Sequence, residues 1–251
     1  MQKKLFGLLG KNISYSFSKK FFTQKFKVQN LPFIYQNFDI NSIAHLPEIL
    51  EQNISQLKGF NVTIPYKEAI FKYLDDVDAV AEEINAVNCI KIIDTYYLKG
   101  FNTDVYGFRE SLKPLLKKQH KKALILGTGG ASKAVSYVLK NLNIECLFVS
   151  RNPQNQQQIS YISVTDEIIK NHTLIVNTTP LGTKGKLENE CPNIPFHAIS
   201  KAHLLYDLIY NPKKTAFLKK GLEKGATIKN GLEMLELQAE KSWEIWNDSS
   251  F

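Results

Sequence analysis

The sequence predicts an α/β protein in two parts: an N-terminal α/β domain and a doubly wound, Rossmann-type nucleotide-binding domain. Three observations carry this reading. From about residue 123 to 228, short apolar runs alternate with helical patterns, which describes a parallel sheet covered on both faces. A glycine-rich loop, Gly127-Thr128-Gly129-Gly130, joins the first of those runs to the helix pattern that follows it. The chain has 251 residues, 43% of them apolar and 22% charged, enough for one large or two modest globular domains.

In chain order, Lys4 to Leu9 reads as a strand, and Ser18 to Val28 as a helix with Phe21, Phe22 and Phe26 inward. Phe33 to Phe38 alternates as a strand, His45 to Gln52 is helical, and Gly59 to Ile64 is a strand stopped by Pro65. Two short helices precede Val87. Cys89–Ile93 and Tyr96–Gly100 then alternate around Asp94-Thr95 as a hairpin. In the second half, Ala123–Leu126, Ile144–Val149, Leu174–Val176, Leu204–Leu208 and Ala226–Ile228 read as strands. One intervening helix carries Ala134, Val135, Val138 and Leu139 on a single face, and another runs through Phe217–Leu222. Apolar residues at 232, 235, 239, 243 and 246 mark a last amphipathic helix with no strand after it, so it must pack on something already built.

The charge narrows the function classes. Lys plus Arg is 32 and Asp plus Glu is 24, a formal net charge of +8, yet the only arginines are Arg109 and Arg151. A lysine field attracts anions, but reading base edges leans on arginine, so nucleic acid is not the expected partner. No apolar run reaches the roughly 18 residues that span a bilayer. Cys89, Cys146 and Cys191 are far apart and odd in number, and the five histidines are scattered. Neither a metal site nor a disulfide framework is expected, which fits a reducing cytoplasm.

The glycine loop points to a dinucleotide. A glycine permits the tight turn, a second lets the backbone approach a pyrophosphate, and the helix N-terminus offers free N–H groups to the phosphates. Alone the motif is weak, and Ser132 stands at its third glycine position; the strand-loop-helix context restores some of its weight. The next strand ends Ser150-Arg151-Asn152, with no acid to hold a ribose 2′-hydroxyl and a guanidinium suited to a 2′-phosphate. This predicts NADP(H) rather than NAD(H).

The first half carries polar segments where apolar residues are the norm. They are Asn61-Val62-Thr63-Ile64-Pro65-Tyr66-Lys67, Asn85-Ala86-Val87-Asn88 and Gly100-Phe101-Asn102-Thr103-Asp104, with Ser16 and Ser18 at the start of the first helix. Read singly, Lys67 and Asp104 would pass for a surface ion pair and the serines for helix caps.

Together these residues make the chain resemble the shikimate dehydrogenase family, over nearly its whole length. The resemblance runs through Gly10-x-x-Ile13-x-x-Ser16-x-Ser18, Asn61-Val62-Thr63-x-Pro65-x-Lys67, Ala86-Val87-Asn88, Asn102-Thr103-Asp104 and Gly127-x-Gly129-Gly130-Ala131. It continues through Asn177-x-Thr179 and Tyr206-Asp207-x-x-Tyr210-x-Pro212 to Gly231-Leu232-x-Met234-Leu235-x-x-Gln238-Ala239. It implies a reversible, NADPH-dependent reduction of 3-dehydroshikimate to shikimate, in aromatic amino-acid biosynthesis. It further implies Lys67 and Asp104 as the catalytic pair, and Ser16 and Ser18, with Tyr210 nearby, as holders of the substrate carboxylate. Thr63, Asn88, Asp104 and Gln238 would bind the ring hydroxyls. Gly127, Gly129, Gly130 and Ala131 would bind the pyrophosphate, Ser150, Arg151 and Asn152 the 2′-phosphate, and Leu208 and Gly231 would line the nicotinamide side.

The resemblance also implies the domain plan. Residues 1–104 and 232–251 form the substrate-binding domain and 105–231 the dinucleotide-binding domain, with hinges at the two crossings and a cleft between; the molecule is a monomer or homodimer. Tyr15 and Lys19 replace the usual histidine and proline. After Arg151 the usual second arginine is missing. The stretch Asn152-Pro153-Gln154-Asn155-Gln156-Gln157-Gln158 is also too short for the usual helix before the next strand. A 2′-phosphate clasp of one arginine and small polar groups follows. Two alternatives stay open: a quinate/shikimate dehydrogenase using NAD, and a non-catalytic dinucleotide-binding protein on the same fold.

Overall fold

The computed structural model describes residues 3–14, 16–94 and 97–248. Tyr15, Thr95 and Tyr96, all singled out above, lie outside them. The chain divides into two compact units, one of Met1–Tyr106 with Gln238–Phe251, the other of Gly107–Leu237.

The first unit holds β1 (Lys4–Gly10), α1 (Phe17–Val28), β2 (Phe33–Asp39), α2 (Leu46–Asn53), β3 (Leu57–Val62), β4 (Asp76–Val77), α3 (Ala79–Glu83), β5 (Cys89–Ile93) and β6 (Tyr97–Phe101). Its sheet runs β2-β1-β3-β5-β6-β4. β1 pairs in parallel with β2 and β3, while β5 is antiparallel to both β3 and β6. Alternation along β1 sends Leu5 and Leu9 into one apolar cluster and Phe6 and Leu8 into another. The first cluster includes Leu46 of α2 and Ala81 of α3; the second includes Phe22 and Phe26 of α1. Of the two short helices expected before Val87, the first is a 3-10 turn at Ala69–Tyr73, and the two-residue strand β4 follows it. Two residues carry no periodicity. What holds β4 is partly lateral: Asp75 accepts the Leu98 N–H through Oδ2 at 2.7 Å.

The second unit takes up the chain within α4 (Asp104–Leu112). It continues through β7 (Lys122–Leu126), α5 (Gly130–Asn141), β8 (Glu145–Ser150), β9 (Gln158–Ser160), α6 (Asp166–Asn171), β10 (Leu174–Asn177), β11 (Leu204–Asp207), α7 (Ala216–Glu223) and β12 (Thr227–Lys229). Its strands are all parallel in the order β12-β11-β10-β7-β8-β9. Numbered within the unit that is 3-2-1-4-5-6, the doubly wound order, with its switch point between β7 and β10. Both faces are covered, so the strands are continuous apolar runs: Ala123 to Leu126 and Leu174 to Val176 are wholly buried. α6 and α7 pack on one face through Ile169, Phe217 and Leu218. The four apolar residues read onto one face of α5 are buried.

Between β8 and β9 there is no helix. The crossover is possible because β9 pairs only with the last three residues of β8, Phe148 to Ser150. The chain then has to run back just two residues, roughly 7 Å. Its own amides stiffen it: Gln158 Oε1 accepts the Gln154 N–H at 3.0 Å, and Asn155 Oδ1 accepts the Gln157 N–H at 3.0 Å.

α8 (Leu232–Asn247) begins in the second unit and its last ten residues belong to the first. Trp246 docks that end. Its Nε1 donates to the Ile90 carbonyl at 2.9 Å, and its ring lies 4.9 Å from Phe6 and 5.2 Å from Phe22. Gly59 makes room, since a β-carbon there would strike the indole. At the ends of β10 and β11, the fully buried Asp207 accepts from Asn177 Nδ2 at 3.0 Å, Thr215 Oγ1 at 2.6 Å and the Ile209 N–H at 3.1 Å.

Two consequences can be measured. Trp246→Ala should lower unfolding stability by about 3–5 kcal/mol in denaturant titration, because it leaves a cavity and orphans a carbonyl. Burial, opposed by the three hydrogen bonds, raises the Asp207 carboxyl from the usual 3.8 to about 6. Between those values the unfolded chain has ionised and the folded chain still holds its proton, so stability falls as pH rises and levels off above. Wild-type stability should therefore drop by about 2 kcal/mol relative to Asp207→Asn between pH 4 and 6. Parallel profiles would refute the assignment.

Candidate active site

The C-terminal ends of the first unit's strands carry its polar segments. Lys67 follows β3, and its backbone is tied down by the Val87 N–H, which donates to the Lys67 carbonyl at 2.9 Å. Asp104 opens α4, where the helix dipole favours a carboxylate. Asn102 sets that start: its Oδ1 accepts the Val105 N–H and its Nδ2 donates to the Ala86 carbonyl at 2.8 Å.

Lys67 Nζ lies 2.5 Å from Asp104 Oδ2, with both side chains mostly enclosed at 18% and 12% exposure. The other carboxylate oxygen accepts from Asn88 Nδ2 at 2.9 Å. The Asn88 amide can point only one way, because its Oδ1 accepts the Thr103 N–H at 2.7 Å. The Thr103 hydroxyl then meets Gln238 Oε1 at 3.3 Å and Ser242 Oγ at 3.2 Å. Asn61 Nδ2 donates to Ser242 Oγ at 2.8 Å, and Tyr35 donates to Asn61 Oδ1 at 2.9 Å. Burial raises the Tyr35 phenol well above its usual value, opposed by a hydrogen bond with Ser18. A continuous polar chain thus runs from Tyr35 to Lys67 through the interior of one unit.

Of the residues expected to bind substrate, Lys67, Asn88, Asp104 and Gln238 are linked in this chain directly or through Thr103. Ser18, in the first turn of α1, acts on the Tyr35 phenol at its far end by lowering that raised pKa. Thr63 is half-buried beyond β3, its N–H donating to the Leu9 carbonyl at 2.9 Å, with Gly10 leaving space for its methyl. Ser16 caps α1, accepting the Lys19 N–H at 3.2 Å, a donor that a proline at that position would lack. Tyr210 belongs to the other unit, beyond β11. Tyr35, Asn61, Thr103 and Ser242 were given no role from the sequence. Asn61 and Thr103 stood inside the motifs; Ser242 follows Gln238 by four residues, continuing a polar stripe inside an apolar helix face.

In the second unit a cavity of about 680 Å³ opens at the switch point of the sheet. Gly127, Thr128 and Gly129 line one part, and Ser150, Arg151 and Asn152 another. Gly127 has φ +105°, and a β-carbon would lie 2.8 Å from Thr178 Oγ1, so only glycine fits. α5 starts with no side-chain cap, and nothing stands within 4 Å of where β-carbons on Gly129 or Gly130 would be. The Ser132 N–H donates to the Gly129 carbonyl at 2.9 Å, which leaves the Gly130 and Ala131 N–H groups of the first turn open to an anion. Gly130 and Ala131 start that helix rather than line the cavity. Leu208 and Gly231 are also outside its lining; they pack on each other, a β-carbon on Gly231 colliding with the Leu208 carbonyl. Thr178 and Thr179, which the motifs left without a role, do line it, held by Asn177 Oδ1, which accepts from Thr179 Oγ1 at 2.7 Å. These features fit NADP(H): no acidic side chain lines the cavity, and Arg151 has no ion-pair partner among the described residues. Among the described residues no group of three or more His, Cys, Asp or Glu could hold a metal, and no helix is long and apolar enough to cross a membrane.

Comparison with known proteins agrees with this arrangement. Residues 8–90 match the model of the shikimate dehydrogenase substrate binding domain. A shikimate dehydrogenase (NADP+) of Clostridium botulinum is 38% identical over 250 residues, covering 96% of this chain and 95% of that protein. Among solved structures, shikimate dehydrogenase from Aquifex aeolicus superposes with a TM-score of 0.86 at 34% identity, over 98% of this chain and 92% of the other. The enzyme from Thermus thermophilus, solved with NADP(H) and shikimate, gives 0.84 at 29% identity, over 97% and 93%. With an enclosed lysine–carboxylate pair in one unit, a glycine-lined cavity in the other, and relatives matched over almost the whole chain, the chain belongs to the shikimate dehydrogenase family.

Proposed function

We propose that this protein is an NADP-dependent shikimate dehydrogenase, reversibly reducing 3-dehydroshikimate to shikimate in the cytoplasm, on the route to chorismate and the aromatic amino acids. The observation that carries the reading is the Lys67 ammonium held 2.5 Å from Asp104, whose second oxygen is held by Asn88. Bound NADPH supplies the hydride for the ketone carbon. Negative charge then grows on the carbonyl oxygen, and Lys67 stabilises it and passes a proton to it; in the reverse direction Lys67 receives that proton. Asp104 orients the ammonium, and Asn88 keeps Asp104 from turning away.

Thr63, Asn88, Asp104 and Gln238 hold the ring hydroxyls, and Ser16 and Ser18 hold the carboxylate. The open N–H groups at the start of α5 and the Gly127 turn hold the pyrophosphate, while Ser150, Arg151 and Asn152 face the 2′-phosphate. Leu208 and Gly231 wall the nicotinamide side. An NAD-linked quinate/shikimate dehydrogenase is less well supported, because a guanidinium stands where an acid would hold a 2′-hydroxyl. A purely binding role leaves the enclosed Lys67–Asp104 pair unexplained.

Purified protein given shikimate and NADP+ should generate NADPH, seen as absorbance, faster than with NAD+ or with quinate. No turnover in any of the four pairings at saturating substrate would defeat the proposal. Lys67→Ala should cut kcat by roughly 10²–10⁴-fold while the Kd for NADP+ stays within about twofold. Turnover equal to wild type would remove Lys67 from the mechanism.

A further inference from the structure

The crossover without a helix has a chemical effect on the nucleotide cavity. Because β9 follows β8 after only residues 151–157, the chain turns at once into a 3-10 turn at Tyr161–Ser163. This brings Tyr161 into the wall of the cavity that Ser150, Arg151 and Asn152 line. The Tyr161 ring is half-buried and packs against the apolar core of the unit, so the side chain is braced. Its hydroxyl has no hydrogen-bond partner among the described residues. Arg151 lines the same cavity; burial raises the Tyr161 pKa, opposed by the positive charge of Arg151, so the phenol is a neutral donor.

The neighbouring groups are donors as well. Arg151 offers only N–H groups. Ser150 Oγ already accepts the Asn152 N–H at 3.2 Å, which leaves its own O–H to donate outward. Donor-bearing side chains that line one cavity with no acidic side chain among them suit a phosphate dianion. In a doubly wound sheet, the end of the second strand is where the adenosine ribose is met, so the anion arriving here is its 2′ substituent.

We propose that Tyr161 is a specificity-determining residue, donating its phenolic O–H to the 2′-phosphate of NADP(H) and sharing that anion with Arg151. The inference rests on the cofactor reading under Proposed function and deepens it. It also explains how a clasp with a single arginine is completed in this chain.

The test is calorimetric titration of wild type and Tyr161→Phe with NADP+ and with NAD+, each without substrate. Phenylalanine keeps the braced ring, so folding is not at issue. Loss of a hydrogen bond to a charged group should weaken NADP+ binding about tenfold or more and leave NAD+ binding within twofold. Equal weakening of both cofactors, no change in either, or a wild type that binds NADP+ no more tightly than NAD+ would overturn the proposal. The titration does not depend on turnover: normal NADP+ binding without activity on shikimate would defeat the assigned reaction and leave the Tyr161 result to be read as stated.

Discussion

The side-chain amide of Asn88 is the fixed point of the first unit's chemistry. Its oxygen is committed to the Thr103 N–H, so its nitrogen must face Asp104, and Asp104 is held with one oxygen on Asn88 and the other on Lys67. Burial makes this strict. Asn88 and Thr103 are almost without solvent contact, so an unmet donor or acceptor there would carry the full desolvation cost, about 1–3 kcal/mol each. A lysine and a carboxylate on a surface would sample many geometries; here the interior selects one, the constancy that the proposed proton transfer needs.

The same logic extends to the backbone. Asn61 and Asn88 sit on or beside strands that hydrogen-bond to each other, with the Val62 N–H donating to the Asn88 carbonyl at 2.8 Å. The strand ladder sets the separation of the polar segments before any side chain is considered. Ser242 and Gln238 come from a helix more than a hundred residues further on, fastened by Trp246. Packing of an indole against Phe6 and Phe22 thus contributes to placing the amide of Gln238.

In the second unit the controlling constraint is close approach. Gly127 lies against Thr178 at the switch point, where neighbouring strand ends diverge, and the uncapped start of α5 faces the opening. Thr179 is held by Asn177, which in turn donates to the buried Asp207. A carboxylate that is costly to bury is therefore tied through one amide to the wall of the nucleotide cavity. Its raised pKa is the measure of that cost.

The sequence by itself determined what is local. Period-two and period-three-to-four patterns located most strands and helices, because each face of an element is either wet or dry. The glycine loop and Arg151, which line one cavity, were legible because a tight turn and a lone guanidinium at a strand end are each distinctive residue choices. The ordered motifs also marked Lys67, Asn88, Asp104 and Gln238. Only the tertiary structure decided which partners those residues take. Thr103, Asn61, Tyr35 and Ser242 matter through contacts between segments distant in the chain, and no spacing encodes such contacts. The two-residue β4 was invisible for want of any period. Tyr161 stood out in no pattern, because its position depends on a missing helix, and what a deletion brings into contact is decided by packing rather than by sequence.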